Sequence, residues 1–337
     1  MRSPKKRVNS IPMRSETTKL ATFARATTTL ALSCAMTLAS AIGSPSLAHA
    51  DELPTPDQAT IDQRSAPAPL DPSVESARGK HVFFGCCMMY VPKKFKPINN
   101  SYDLVFFFHG RPQIVEDTID EANVNAIVVS VNFGISSGVY SSQYQYPGAF
   151  EQLLASVDKN VAKTGMRGLT RNRVALTGWS AGFAAVGAIL SKPNWSEQID
   201  AVVLADGFHE MYGPTGDVYR DGLQKYARFA ARAMRGDALF AMTHSSIRTV
   251  GYASTTKATN TLLDMIGLEK DRHEGVGPRG MQLVYETHRG NFHVTGYEGM
   301  REPDHIDHFK GLGQSLWPYL RTRWETKATS SDAVAAR

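Results

Sequence analysis

The chain is poor in cysteine, and only Cys86 and Cys87 of its three cysteines lie beyond residue 50. These two are adjacent, and neighbours in a strand point to opposite faces, so a bond between them would need a distorted turn. We therefore interpret them as two buried thiols in a strand over residues 81–91. Stability is expected to come from packing, because no disulfide framework is available.

An excess of basic charge is also missing from most of the chain. The whole sequence has 37 basic and 32 acidic residues, but residues 1–50 hold seven of the basic ones and one of the acidic ones. The remainder has a formal net charge of −1, and it contains no basic run. The basic isoelectric point therefore gives no reason to expect a nucleic-acid partner.

Residues 1–50 have the pattern of a secretory signal peptide. Basic residues occur from position 2 to 25, an apolar stretch follows over 26–43, and Ala48-His49-Ala50 precedes Asp51. Small residues at these two alanine positions are typical of a cleavage site. A membrane anchor is the alternative, but the stretch is short and no second apolar run follows. We expect a mature protein that begins at Asp51, is secreted or periplasmic, and keeps no stable membrane anchor.

The rest of the chain divides into three parts by composition. Residues 51–80 carry five prolines among Asp, Gln, Ser and Ala, and they predict a disordered linker. Residues 327–337 form a polar tail. Between them, residues 81–326 are long enough for one α/β domain with a substantial core.

Apolar strands alternate with amphipathic helices through this domain. Strands are expected over residues 82–90, 104–108, 126–131, 174–176, 201–205, 238–242, 281–286 and 292–295. Helices are expected over 150–161, 183–191, 219–234 and 305–324, the last of them kinked at Pro318. The alternation predicts an α/β fold with a mainly parallel central sheet and helices on both faces.

The most specific pattern is Gly178-Trp179-Ser180-Ala181-Gly182, which follows an apolar strand and precedes a small, apolar helix. Gly-x-Ser-x-Gly between a strand and a helix indicates a nucleophile elbow, in which a strained turn projects the serine hydroxyl. An ordinary strand-to-helix turn is the alternative. The elbow predicts Ser180 as a nucleophile.

Other polar residues follow the predicted strands at the same edge. In a parallel sheet the ligand site lies at the carboxyl ends of the strands, where side chains from different loops meet. One histidine there is usually structural, but several at corresponding positions indicate a shared cleft. The residues concerned are His109, Ser180, Asp206, His209 and His244, with His305 and His308 after the last strand.

With these motifs the chain resembles the α/β-hydrolase superfamily over about residues 82–324. The resemblance rests on the elbow, on His109-Gly110 after an earlier strand, and on the order Ser, Asp, His along the chain. The segments 206–209, 252–256 and 304–308 resemble a secreted bacterial branch of serine hydrolases. The chain returns directly to a strand after residue 234, so no large inserted lid domain is expected.

The resemblance implies a role for each residue that matches the family pattern. Ser180 would be the nucleophile, His305 the general base and Asp206 the acid that orients it. The N–H of Ala181 would form half of the oxyanion hole, and the N–H of Gly110 or Arg111 the other half. The other histidines of the predicted cleft would contact the triad residues without reacting themselves. They are His109, His209, His244 and His308.

Two of these assignments have rivals within the sequence. In most of the family the acid follows the second strand after the elbow, but here Thr243-His244-Ser245-Ser246 offers no carboxylate. Asp206 is therefore preferred over Glu210 and Asp264. For the base, His305 at the start of the closing helix, with Asp304 as a candidate N-cap, is preferred over His308 and His293.

These patterns together predict a secreted serine hydrolase, foremost a carboxylic ester hydrolase, with a small-molecule or polymeric ester as substrate. A peptidase or acyltransferase of the same fold, or a non-catalytic binding module, is the alternative. No cofactor or metal is expected, because neither H-E-x-x-H nor a zinc-spaced cysteine set occurs. The tyrosines Tyr140, Tyr144 and Tyr146 would line a cleft or belong to a surface loop.

Overall fold

The computed structural model describes residues 79–272 and 274–335, with side chains up to residue 326. The predicted signal peptide and nearly all of the predicted linker lie outside these residues. Gly79 and Lys80, which the sequence analysis places in the linker, are the first residues of a strand. Strand β1 therefore includes the last two residues of the predicted linker.

Within the described residues ten strands form one sheet. Their bounds are β1 Gly79–Phe84, β2 Cys87–Pro92, β3 Ser101–Phe108, β4 Ile127–Val131, β5 Thr170–Trp179, β6 Ala201–Ala205, β7 Leu239–His244, β8 Gly275–Val276, β9 Gln282–Arg289 and β10 Phe292–Tyr297. Their order across the sheet is β1-β2-β4-β3-β5-β6-β7-β10-β9-β8.

The centre of the sheet is parallel and its two edges are antiparallel. The pairs β4–β3, β3–β5, β5–β6, β6–β7 and β7–β10 run parallel. The pairs β1–β2, β2–β4, β9–β10 and β8–β9 run antiparallel. The prediction of a mainly parallel sheet therefore holds for the core and is wrong at the edges, where the chain reverses in hairpins and β2 runs against β4.

Helices cover both faces of the sheet, as the wholly apolar central strands require. Their bounds are α1 Pro112–Ala122, α2 Ser137–Gln143, α3 Ala149–Lys163, α4 Phe183–Leu190, α5 Pro193–Ser196, α6 Arg220–Met234, α7 Thr255–Ile266, α8 Glu302–Lys310, α9 Leu312–Ser315 and α10 Trp317–Ala335. Helices α3, α4, α6 and α7 pack on one face. Helices α1, α8, α9 and α10 pack on the other.

Two predicted elements differ from the structure. The strand expected over 81–91 is a hairpin, β1–β2, which turns at Gly85 and Cys86, so that Cys86 is exposed and Cys87 is buried. The closing helix expected over 305–324 is divided into α8, α9 and α10. Pro318 occupies the second position of α10, where its missing N–H costs nothing, instead of kinking a longer helix. Helix α10 also runs to Ala335, past residue 326.

Candidate active site

Ser180 sits in a strained turn between β5 and α4. Its φ angle is 49°, in the left-handed region that side chains other than glycine rarely adopt. A Cβ atom at Gly182 would lie 2.0 Å from the carbonyl oxygen of Phe108, and one at Gly178 would lie 3.2 Å from the same oxygen. The glycines thus allow α4 to pass against β3 directly after the turn.

The loop after β6 packs against the backbone of Ser180. A Cβ at Gly207 would lie 2.5 Å from the carbonyl oxygen of Ser180 and 2.7 Å from its nitrogen. The sequence gives no sign of this role for Gly207, because a contact over this distance along the chain leaves no local signal. The contact fixes Asp206, the preceding residue, beside the serine turn.

Asp206 is buried, with an exposed fraction of 1%. Its Oδ1 accepts hydrogen bonds from the Ser245 backbone N–H (2.8 Å) and the Thr255 hydroxyl (3.0 Å), and its Oδ2 accepts one from His305 Nδ1 (2.7 Å). Burial acts to raise the pKa of Asp206, but the nearby His308 and His305 rings and the Ser245 amide outweigh it. They hold the pKa well below its ordinary value, so the buried group is a carboxylate.

Trp179, the residue before Ser180, contacts His305 in two ways. The two rings stack with centroids 4.6 Å apart, and the indole N–H donates to the His305 carbonyl oxygen over 3.1 Å. Because Nδ1 of His305 faces Asp206, the second ring nitrogen, Nε2, is the one left for chemistry. The His305 side chain is 16% exposed, so a substrate can reach it. Sequence reasoning overlooked Trp179, which it treated as the variable position of the motif.

The turn that precedes His305 is fixed by Asp304. The Asp304 Oδ2 accepts the backbone N–H groups of Met300 (3.0 Å) and Arg301 (2.9 Å). The N-cap of α8 is Arg301, and Asp304 is the third residue of the helix, so the expectation that Asp304 is the N-cap is wrong. Asp304 instead supplies the acidic half of a capping box, which places His305 within the first turn of α8.

His109 and His308 are buried close to this pair. His109 Nδ1 is hydrogen-bonded to the Tyr140 hydroxyl (3.0 Å), and its ring stacks on Trp179 with centroids 5.4 Å apart. His308 Nδ1 is hydrogen-bonded to the Thr243 hydroxyl over 2.8 Å. Burial lowers the pKa of each histidine to about 4, so both rings are neutral near neutral pH.

His209 and His244 are bound by groups outside the Asp206–His305 pair. His209 Nδ1 is hydrogen-bonded to the Ala253 carbonyl oxygen over 3.1 Å. His244 Nε2 is hydrogen-bonded to the Tyr285 hydroxyl over 2.6 Å. Burial lowers the pKa of both rings. Their contacts support the loops that carry Asp206 and Ser245 and not the reacting groups themselves.

The turn after β3 lies where an oxyanion hole was predicted. The Gly110 N–H donates to the side-chain oxygen of Asn132 over 3.1 Å. Arg111 is the N-cap of α1, so its amide belongs to a helix N-terminus, which carries partial positive charge. Of the two alternatives from the sequence, Gly110 and Arg111, this hydrogen bond disfavours Gly110.

The rival residues have partners elsewhere. Glu210 accepts the Met211 backbone N–H over 2.8 Å, and His293 stacks on Tyr319 with centroids 4.2 Å apart. Asp264 lies near the end of α7.

Within the described part of the chain, no group of three or more His, Cys, Asp or Glu side chains could hold a metal ion.

Exposed apolar side chains occur on helix α2 and on the loops at the Ser180 edge of the sheet. They follow the carboxyl ends of β4, β6, β7 and β10, which all point to this edge. The predicted tyrosine loop contributes only one of its three rings, because Tyr140 and Tyr144 are packed in the core. The exposed residues are Ile135, Val139, Tyr146, Met211, Tyr219, Val250 and Met300.

No helix among residues 79–272 and 274–335 has the length and apolar character needed to cross a membrane.

Comparison with known proteins finds no matching family model and no matching curated sequence. Among solved structures, the siderophore hydrolase EstB from Aspergillus nidulans is similar at 13% identity and a TM-score of 0.39, over 75% of this chain and 99% of that one. Poly(aspartic acid) hydrolase-1 from Sphingomonas sp. KT-1 is similar at 12% identity and a TM-score of 0.40, over 68% and 92%.

Esterase 2 from Thermogutta terrifontis, in a form phosphonylated by cyclosarin, is similar at 13% identity and a TM-score of 0.38, over 72% of this chain and 93% of that one. These similar structures are all hydrolases or esterases. Their identities and TM-scores are too low for any of their activities to be carried over to this chain.

Proposed function

We propose that the protein is a serine hydrolase of the α/β-hydrolase fold that cleaves carboxylic esters, with Ser180, His305 and Asp206 as its triad. The observation that carries the proposal is the 2.7 Å hydrogen bond between His305 and the buried Asp206. It lies beside a serine held at a strained φ of 49°. A purely structural turn has no need of both a strained serine and a buried carboxylate–imidazole pair.

In this mechanism the Ser180 hydroxyl attacks the ester carbonyl carbon while His305 Nε2 takes its proton. The imidazolium that forms is stabilised by the Asp206 carboxylate, and its proton passes to the leaving alcohol. Water then attacks the carbonyl carbon of the acyl-enzyme while His305 takes its proton. The Ser180 oxygen receives that proton as it leaves, and the acid product is released. Asp206 stays ionised throughout, because the Ser245 and Thr255 donors and His305 compensate for its burial.

Backbone amides would stabilise the negative charge that develops on the carbonyl oxygen. We assign the N–H groups of Ala181 and Arg111 to this role, because the Gly110 amide donates to Asn132. Such donors act mainly in the transition state, and losing one typically reduces the rate by about 100-fold or more.

The exposed apolar residues at this edge favour an ester whose acyl or alcohol group is apolar. Val250 and Met300 are 86% and 69% exposed, respectively, on the loops after β7 and β10. A substrate that covers them removes apolar surface from water, which favours binding.

We also propose that the protein is exported, because residues 1–50 have the pattern of a signal peptide. N-terminal sequencing of the exported protein should begin at Asp51. A protein that retains Met1 would contradict this proposal.

Labelling by a fluorophosphonate probe tests the assigned nucleophile. The wild-type protein should be labelled and should hydrolyse p-nitrophenyl esters, whereas Ser180→Ala should remain folded and do neither. Ser191→Ala, at an exposed serine after α4, is the matched control and should behave as wild type. Labelling of Ser180→Ala, or its substantial esterase activity, would overturn the assignment. Faster turnover of p-nitroanilide peptides than of esters would overturn the ester preference.

A further inference from the structure

The β1–β2 hairpin brings two free thiols together at its turn. Gly85 has a φ of 59° and begins the reversal, so Cys86 lies in the turn and Cys87 begins β2. The two sulfur atoms are 3.5 Å apart. In a continuous strand the side chains of adjacent cysteines would point to opposite faces. The turn removes that obstacle.

The two thiols differ in exposure and in reactivity. Cys86 is exposed, whereas Cys87 is buried among core residues. The hydrogen bond from the Cys87 thiol lowers the pKa of Cys86 to about 7, while the same bond and burial raise the pKa of Cys87. Cys86 therefore supplies an accessible thiolate near neutral pH, and Cys87 is a protected thiol in contact with it.

A groove beside the turn carries positive charge. It is lined by Phe83, Cys86 and Leu153, and by Lys159 and Lys163 from α3. The two lysines are four residues apart and both exposed, so they lie on one side of the helix. The groove thus presents apolar surface, two cations and the reactive sulfur to the same molecule. Anionic groups on a small thiol compound would be attracted to it.

We propose that Cys86 and Cys87 form a thiol–disulfide exchange site whose substrate is a small disulfide carrying carboxylate groups. The Cys86 thiolate attacks one sulfur of the substrate, which forms a mixed disulfide and releases one thiolate. Cys87 then loses its proton and attacks the Cys86 sulfur, which closes a Cys86–Cys87 disulfide and releases the second thiolate. Two protein thiols are oxidised, and one substrate disulfide is reduced to two thiols.

Mass spectrometry of the full chain treated with oxidised glutathione tests the exchange. Cys34 is replaced by serine in every protein, so that only the hairpin pair can react. The starting protein, which has Cys34→Ser and keeps both hairpin cysteines, should lose the mass of two hydrogen atoms and retain no glutathione adduct. Cys87→Ser should stop with one glutathione attached, and Cys86→Ser should not react. A lasting glutathione adduct on the starting protein, or no reaction of it, would overturn the proposal.

The choice of substrate has its own test, with cystamine as a cationic disulfide. The ratio of the second-order rate constants, oxidised glutathione over cystamine, should fall by roughly 3- to 10-fold in Lys159→Gln/Lys163→Gln. Lys93→Gln/Lys96→Gln makes the same charge change at exposed positions outside the groove and should leave the ratio unchanged. An equal fall in both double variants, or no fall in the first, would contradict a carboxylate-binding groove.

Discussion

His305 and His308 lie one helical turn apart in α8, but they have different surroundings. His305 Nδ1 meets Asp206 over 2.7 Å, and its ring is partly exposed beside the serine turn. His308 is buried against Thr243, with no exposed edge for a substrate. We therefore assign proton transfer to His305 and packing to His308.

The kcat/KM values of alanine variants test this assignment. His305→Ala removes the proton acceptor and should lower kcat/KM by about 10³-fold or more. His308→Ala leaves the acceptor in place and should cost much less. If His308→Ala loses activity while His305→Ala keeps most of it, the base is misassigned by one turn.

The residue types and their order along the chain pointed to Asp206 and His305, and the structure places these two side chains in contact. The residues that hold these two side chains in place could not be predicted from the sequence. Ser245 and Thr255 bind the Asp206 carboxylate from 39 and 49 positions away. Trp179 stacks on His305 across 126 positions. Such contacts depend on how the loops pack in three dimensions, and no local pattern encodes them.

At the scale of elements, the serine turn depends on how closely α4 approaches β3. Gly182 has an ordinary helical φ of −60°, so a side chain there meets no backbone strain. What excludes it is the Phe108 carbonyl oxygen, 2.0 Å from the position of a Cβ. The need for glycine at this position is therefore one of space alone.

Gly182→Ala should destabilise the protein by about 1–3 kcal/mol or more, because either α4 or β3 must shift. Gly138→Ala is the matched control in α2, where the nearest atom to the new Cβ is 3.5 Å away. It should be neutral or slightly stabilising. Urea unfolding measures both changes. Equal stability of Gly182→Ala and wild type would mean that the helix does not pass this close to the strand.

Elements with a clear apolar period were predicted well, and those set by turns were not. Strand β6 occupies the predicted residues 201–205, and α6 begins one residue after its predicted start. The β1–β2 hairpin was missed because apolar residues continue through Gly85 and Cys86 on both sides. The closing helix was predicted as one piece because the chain remains helix-compatible across Gly311 and Leu316, where the structure divides it.

At the scale of the whole molecule, buried histidines make the fold sensitive to acid. Burial lowers the pKa of His308 from an ordinary 6.5 to about 4, and its titratable neighbours are Asp206, His305, His244 and Asp307. The unfolded chain therefore binds more protons than the fold between these pH values. The contribution of His308 to the free energy of unfolding is therefore complete above about pH 6.5. It is lost as the pH falls toward 4, by up to about 3 kcal/mol.

His308→Gln should make the urea midpoint depend less steeply on pH between about 6.5 and 4. His288→Gln, at an exposed position of β9, should leave the slope as in wild type. The measurement is the change of the urea midpoint with pH in each protein. A variant that loses the same stability at every pH keeps the wild-type slope, so such a loss does not obscure the result. An unchanged slope in His308→Gln would show that His308 does not stay neutral in the fold.

The stack between Trp179 and His305 also gives the candidate site an optical signal of its own. The chain has four tryptophans, and the other three are packed elsewhere, at positions 195, 317 and 324. An indole in contact with an imidazole loses fluorescence when the imidazole becomes protonated, because the cation accepts charge from the excited ring. The emission of Trp179 should therefore report protonation of the two imidazoles stacked on it, His305 and His109, and change again when an acyl group occupies Ser180. The other three tryptophans pack against other groups, Phe150, Phe107 and Arg173.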